Sequence, residues 1–187
     1  DRALPASEGL SDGCLCFSPP VPHGERGRRG TVMMTRIEEG NEVFVHASDI
    51  QMLNDEAIEQ ILEWQPTVVL ASGPPIYLPS LTSEKREGAL RRTLMLARQV
   101  NMLILDHHLM RSKEGEEWLD WVSSLHGSKD PCLHHRVICA ADFMGQSRNL
   151  LEAERVSWYK RMPVPKWWHE AYARGEVDTK SYQVVKQ

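Results

Sequence analysis

The chain has 187 residues, 41% hydrophobic and 26% charged, with a formal net charge of −4, the balance of a globular protein with one domain's worth of core. That charge gives no overall attraction to nucleic acid or anionic lipid, so a nucleic-acid role is not favoured, although Arg26, Arg28 and Arg29 form a local basic cluster. No apolar run reaches the ~20 residues needed to span a bilayer and no signal peptide opens the sequence, so no membrane partner and a cytoplasmic location are expected.

Residues 1 to 13 contain Pro5, Gly9 and Gly13 without a sustained period and read as loop with a frayed strand. Cys14 to Phe17 reads as a strand stopped by the following Ser-Pro-Pro, and Pro22-His23-Gly24 as a rigidly entered turn. Glu25 to Gly30 reads as a loop. Thr31 to Ile37 and Glu42 to His46, joined through Gly40-Asn41, give a hairpin signal. Asn54 is placed to cap a helix over Asp55 to Gln65, whose Ala57, Ile58, Ile61 and Leu62 fall at helical spacing.

Thr67 to Ala71 is β-branched and apolar, as a buried parallel strand would be, and it runs into a loop containing Pro74, Pro75 and Pro79. Thr82 or Ser83 caps a long helix carrying Leu90, Leu94, Ala97 and Val100, which leads to a central strand, Met102 to Leu105. A helix from Gly115 to Leu125 ends near Gly127, a strand occupies Val137 to Ala141, and a last helix runs from about Asn149 to Lys160. Met162-Pro-Val-Pro165 cannot be helix interior, which leaves Trp167 and Trp168 as large apolar surface in a tail. The alternation of strand and helix from Glu42 onward predicts an α/β layered domain over 1–160, with 161–187 as a C-terminal tail.

Three strand-like runs finish in groups able to bind metal or move protons. They end at His23, at Asp49 and at Asp106-His107-His108, and in a parallel sheet strand ends are where sites are built. Taken alone, Asp49 reads as a helix-start residue; its place after His46-Ala-Ser favours a ligand. Adjacent side chains on a strand point to opposite faces, so only one of His107 and His108 serves directly unless the backbone turns between them. His107 is favoured, with Asp106 accepting a hydrogen bond from an imidazole. His46, His134 and His135 read as structural, and Met33 and Met34 as core filling. Tyr77 either lines a pocket and hydrogen-bonds a substrate or packs among its prolines. Cys14, Cys16, Cys132 and Cys139 lack the spacing of a zinc knuckle and are expected as thiols.

Five ordered motifs carry a resemblance: Phe17-Ser-Pro-Pro-Val-Pro-His23-Gly, Val43-Phe-Val-His-Ala-Ser-Asp49-Ile-Gln, Ser72-Gly-Pro-Pro-Ile-Tyr77-Leu, Leu103-Ile-Leu-Asp-His107-His108-Leu and Asn149-Leu-Leu-Glu-Ala-Glu-Arg155. From Leu15 to Tyr159 the chain resembles the later half of a metallo-β-lactamase-like branch of unknown function. The resemblance implies the C-terminal half of an αββα sandwich with two metal ions at its edge, zinc first, with manganese or iron as alternatives. It implies that His23 matches the third-motif histidine, Asp49 the bridging, catalytic aspartate, and His107 or His108 the last histidine. The superfamily's first ligand cluster, His-x-His-x-Asp-His, does not occur in the 187 residues, and the chain opens at Asp1 without Met. A fragment lacking its N-terminal half is therefore expected.

The function so implied is metal-dependent hydrolysis of an ester, amide or phosphoester in a small-molecule substrate, incomplete in this chain. The alternative is a non-catalytic fragment or partner-binding protein that keeps the fold. Losing one layer of the sandwich is expected to expose an apolar face formed by Val43, Val45, Val69 and Leu103, favouring self-association or pairing with the N-terminal half.

Overall fold

The computed structural model describes residues 9–25, 27, 30–126, 136–163 and 165–177, so Arg26, Arg28, Arg29, Gly127, Cys132, His134 and His135 lie outside the described residues. It divides into two compact units, 1–150 and 151–187, whereas the sequence places the tail after 160.

The first unit is a mixed α/β fold. Strands β1 (Ser11–Asp12), β2 (Leu15–Phe17), β3 (Val21–Pro22), β4 (Thr31–Val32), β5 (Thr35–Glu39) and β6 (Glu42–His46) precede helix α1 (Asp55–Glu63). Then come β7 (Val68–Ala71), α2 (Ser83–Ala97), β8 (Met102–Leu105), a 3₁₀ turn at Leu109–Arg111, α3 (Lys113–His126), β9 (Arg136–Ile138) and α4 (Ala140–Phe143). Seven strands form one sheet in the order β1-β2-β5-β6-β7-β8-β9, while β3 and β4 make a separate ribbon. β1, β2, β5 and β6 pair antiparallel, and β6, β7, β8 and β9 pair parallel.

Local chemistry accounts for the helix boundaries. The Asn54 side chain accepts from Ala57 N and the Thr82 side chain from Lys85 N, satisfying amides that the first turns leave open. Gly115 is required by contact: a Cβ there would lie 1.8 Å from Leu109 O, where α3 crosses the 3₁₀ turn. The strand expected over Val137 to Ala141 instead stops at Ile138. Asp142 Oδ2 accepts from Cys139 N, and Asp106 Oδ2 accepts from Ala140 N, so carboxylates draw this segment into α4.

Residues on alternate sides of the sheet separate cleanly. Val45, Val69 and Leu103 are fully buried in one core with Ile58, Ile61, Leu96, Leu119 and Val122 of the helices. The apolar face left open is therefore not the expected one of Val43, Val45, Val69 and Leu103. It is the opposite face, where Phe44, Val68, Leu70, Met102, Ile104, Phe143 and Met144 line a groove of about 390 Å³. These strands are apolar on both sides, so period alone did not say which side the helices take. Met34 is wholly buried as expected, whereas Met33 is exposed.

The second unit holds α5 (Arg155–Arg161) and α6 (Lys166–Ala173). The helix expected from Asn149 starts only at Arg155. Leu151 and Val156, in its expected apolar stripe, are exposed, so the burial that stabilises a short helix is missing there. The tail tryptophans sit on α6, which begins after Pro165, and the Trp168 ring stacks on Tyr172 with centroids 5.2 Å apart. Among the described residues Cys14, Cys16 and Cys139 are free thiols, and no described helix is long and apolar enough to cross a membrane.

Candidate functional site

The C-terminal ends of the parallel strands β6, β7 and β8 lead into three loops that are laced together through the backbone. Ile50 O accepts from Ser72 Oγ at 2.8 Å and from Gly73 N at 3.2 Å, and Ser72 O accepts from both His108 N and Leu109 N at 3.0 Å. His23 O in turn accepts from Gln51 N at 2.8 Å, which ties the segment after β3 to the same framework. Within the loop after β6, Ser48 (φ 49°) and Met52 (φ 59°) both adopt the left-handed region that favours glycine. Residues so strained persist where the surroundings over-determine them, and these two flank Asp49 and Gln51.

The framework brings Asp49, His107 and His108 together, with one ligand atom from each within 4.8 Å of the others. Asp49 Oδ1 lies 2.9 Å from His108 Nε2 and 3.5 Å from His107 Nε2. Both histidines therefore reach the carboxylate, because the backbone leaves the extended conformation at Leu105 and turns toward the 3₁₀ segment. Their rings sit 4.7 Å apart, centroid to centroid. His108 is buried and His107 exposed, so the better-held ring is the one that sequence reasoning placed second. Asp106 orients neither imidazole among the described contacts; its carboxylate caps α4.

Each nitrogen of His108 has a polar neighbour. Gln51 Nε2 is 3.1 Å from His108 Nε2 and Tyr77 Oη is 3.4 Å from His108 Nδ1. With the Gln51 amide donating, Nε2 is an acceptor and the ring proton resides on Nδ1, directed at Tyr77 Oη. Gly24 accommodates this amide closely, since a Cβ there would lie 2.8 Å from Gln51 Oε1. The Tyr77 hydroxyl thus reaches the His108 ring. That hydroxyl also accepts from Arg111 Nη1 at 3.3 Å, and Arg111 Nη2 stands 3.1 Å from His107 Nε2.

The electrostatics are unsettled in one respect. Asp49 Oδ1 is buried and, despite its closeness to His108, receives no hydrogen bond of sound geometry; His23 Nδ1 is likewise buried and unpartnered. Buried polar atoms are ordinarily satisfied, so such orphans call for a missing partner. A proton on His108 is disfavoured, because burial pushes its pKa below the ordinary histidine value against the raising pull of Asp49. Donors each ~2.1 Å from a tetrahedral ion stand about 3.4 Å apart, close to the 2.9 and 3.5 Å found here. The carboxylate and imidazole donor set, and the orphaned oxygen, fit a divalent cation. His23 stays outside the group of three, although its backbone holds Gln51 in place.

Arg111 was not singled out from the sequence, and Gln51 entered only as the last residue of the Val43 to Gln51 motif, with no role. Arg111 stands three and four residues after His108 and His107, a helical spacing that carries a signal only once the turn after β8 is known.

No family model and no solved structure matches the chain. It is 50% identical over 182 residues to a UPF0282 protein of Methanosarcina mazei, covering 97% of this chain and 58% of that protein. It is 34% identical over 146 residues to a UPF0282 protein of Pyrococcus horikoshii, covering 77% of this chain and 44% of that one. A UPF0282 protein of Methanopyrus kandleri is 41% identical over 145 residues, covering 75% of this chain and 47% of that protein. The chain is thus similar to UPF0282 proteins and spans about half the length of these curated relatives.

Proposed function

We propose that this chain is part of a metal-dependent hydrolase of the metallo-β-lactamase-like kind, with Asp49, His107 and His108 as ligands to a zinc-like ion. The observation that carries this reading is the buried, unpartnered Asp49 Oδ1 beside two imidazole nitrogens. A divalent ion so held supplies a water whose pKa is lowered to about 7, a nucleophile for an ester, amide or phosphoester. The chain's own residues prepare the site. Tyr77 accepts from His108 Nδ1, which fixes the tautomer with the Nε2 lone pair facing Asp49, and the Gln51 amide that donates to that lone pair would give way to the ion. The two left-handed residues set the carboxylate between them.

A second reading rests on the open sheet face. A groove lined almost wholly by apolar side chains suits a non-catalytic role in which the chain docks on a further layer or on another copy of itself. One experiment separates the two. Equilibrium dialysis against zinc is expected to load close to one ion per chain, weakly, because only three ligand groups converge. Failure of the wild-type chain to retain more zinc than its Asp49→Asn variant overturns the hydrolase reading. Sedimentation of the same samples then reports self-association.

A further inference from the structure

Arg111 is a half-buried cation whose hydrogen bonds run only to neutral acceptors, Tyr77 Oη at 3.3 Å and His107 Nε2 at 3.1 Å. Among the described residues no carboxylate pairs with it, whereas Arg92 pairs with Asp55 and Arg148 with Asp142, and Arg86, also without a carboxylate, is instead satisfied by the backbone carbonyls of Ile76 and Leu81. A guanidinium presents a planar fork that matches an oxyanion, and a neutral imidazole satisfies it poorly. Tyr77 is left in a complementary state. Its oxygen receives Arg111 Nη1–H and His108 Nδ1–H, so its own O–H hydrogen remains to be donated.

We propose that Arg111 and Tyr77 form an anion-binding subsite that takes a phosphate or carboxylate group of the substrate beside the Asp49, His107 and His108 cluster. The inference rests on the metal reading for its place in catalysis and on Arg111 itself for the anion. Arg111 occupies the Nε2 lone pair of His107, the same atom that faces Asp49. A cation at the cluster therefore competes with Arg111 for His107 and repels it as a like charge. An oxyanion offsets both, giving the guanidinium a charged partner and releasing His107. Anion and metal binding are thereby coupled, and each must tighten the other by the same factor.

The test follows the imidazole resonances of the 187-residue chain by NMR during titration with methylphosphonate or acetate, with and without zinc. Methylphosphonate stands for a phosphoryl source and acetate for a carboxylate, and the arm that binds more tightly assigns the group. Zinc should tighten anion binding by about fivefold or more. Arg111→Met should weaken it about tenfold or more in both metal states, with Arg111→Lys intermediate, while zinc affinity without anion stays equal or rises. Far-ultraviolet circular dichroism checks that each variant is folded, and Arg111→Lys keeps the charge should Met disturb the turn. Unchanged affinity for both anions in a folded Arg111 variant overturns the subsite even if zinc binds. Arg111-dependent anion binding in a chain that holds no zinc upholds the subsite and removes the metal reading.

Discussion

Two clusters of charge in the first unit behave in opposite ways. Around Arg148, every neighbouring carboxylate is answered: the guanidinium reaches Asp142 at 2.8 Å, Asp120 at 2.8 Å and Glu116 at 3.6 Å. Hydrogen bonding from Arg148 holds the Asp142 carboxyl at about 2, below the ordinary carboxylate range. Around Asp49, by contrast, a buried carboxylate oxygen has no hydrogen bond, a histidine is held neutral by burial, and an arginine leans on neutral acceptors. The first arrangement serves the fold, because its charges are mutually satisfied. The second leaves its charges unmatched, and that contrast is what supports the proposed binding site.

The comparison is broken most sharply by matched substitutions of the two acids. Asp49→Asn should lower zinc affinity by about 100-fold or more while leaving the melting temperature unchanged or raised, because it removes a half-buried carboxylate whose inner oxygen has no cation beside it. Dialysis and thermal unfolding of one preparation report both. If Asp49→Asn destabilises the fold as a paired acid would, the site reading loses its basis.

Asp142→Asn should do the reverse at neutral pH, costing about 1–2 kcal/mol once solvent screening of this partly open pair is allowed for, with zinc affinity unaffected. The sign with pH follows from the depressed folded pKa. The unfolded acid takes up its proton near the ordinary carboxylate value of 3.8, so the contribution is whole above that pH. It is lost as the pH falls through about 2. Denaturant midpoints of wild type and variant should therefore draw together below pH 3.8 and converge only as the pH reaches about 2. Parallel curves down to that pH would show that the Arg148 cluster contributes no charge pairing.

The smallest expected effect sharpens the role of Tyr77. Tyr77→Phe removes the acceptor for His108 Nδ1–H and should weaken zinc binding by a few-fold to about tenfold, with little change in unfolding. Histidine-selective NMR should show the His108 ring becoming a mixture of tautomers. A ring that keeps a single tautomer in the variant would mean that Gln51 alone fixes it.

Much of this fold was legible in the chain, for reasons local to each segment. Asn54 and Thr82 announce their helices because a capping side chain acts within three residues, and the Glu42 to His46 hairpin follows from Gly40-Asn41. Asp49 and His108 were visible as strand-end groups because a strand's end is marked by its own apolar run. The sequence by itself therefore determined most elements from β5 to α3, their order and the residue types placed at their ends, but not α4 or α6.

What only the tertiary structure decided is how those ends meet. The turn after Leu105 brings both histidines to one carboxylate, draws Asp106 away to cap α4 and carries Arg111 to Tyr77, which is 34 residues distant. It also decided which face of an equally apolar sheet the helices cover, burying Val69 and leaving Leu70 in the groove. Neither outcome is written in a local pattern, because each depends on the packing of segments far apart in the chain, where pairing energy and burial choose among arrangements that local propensity leaves equal.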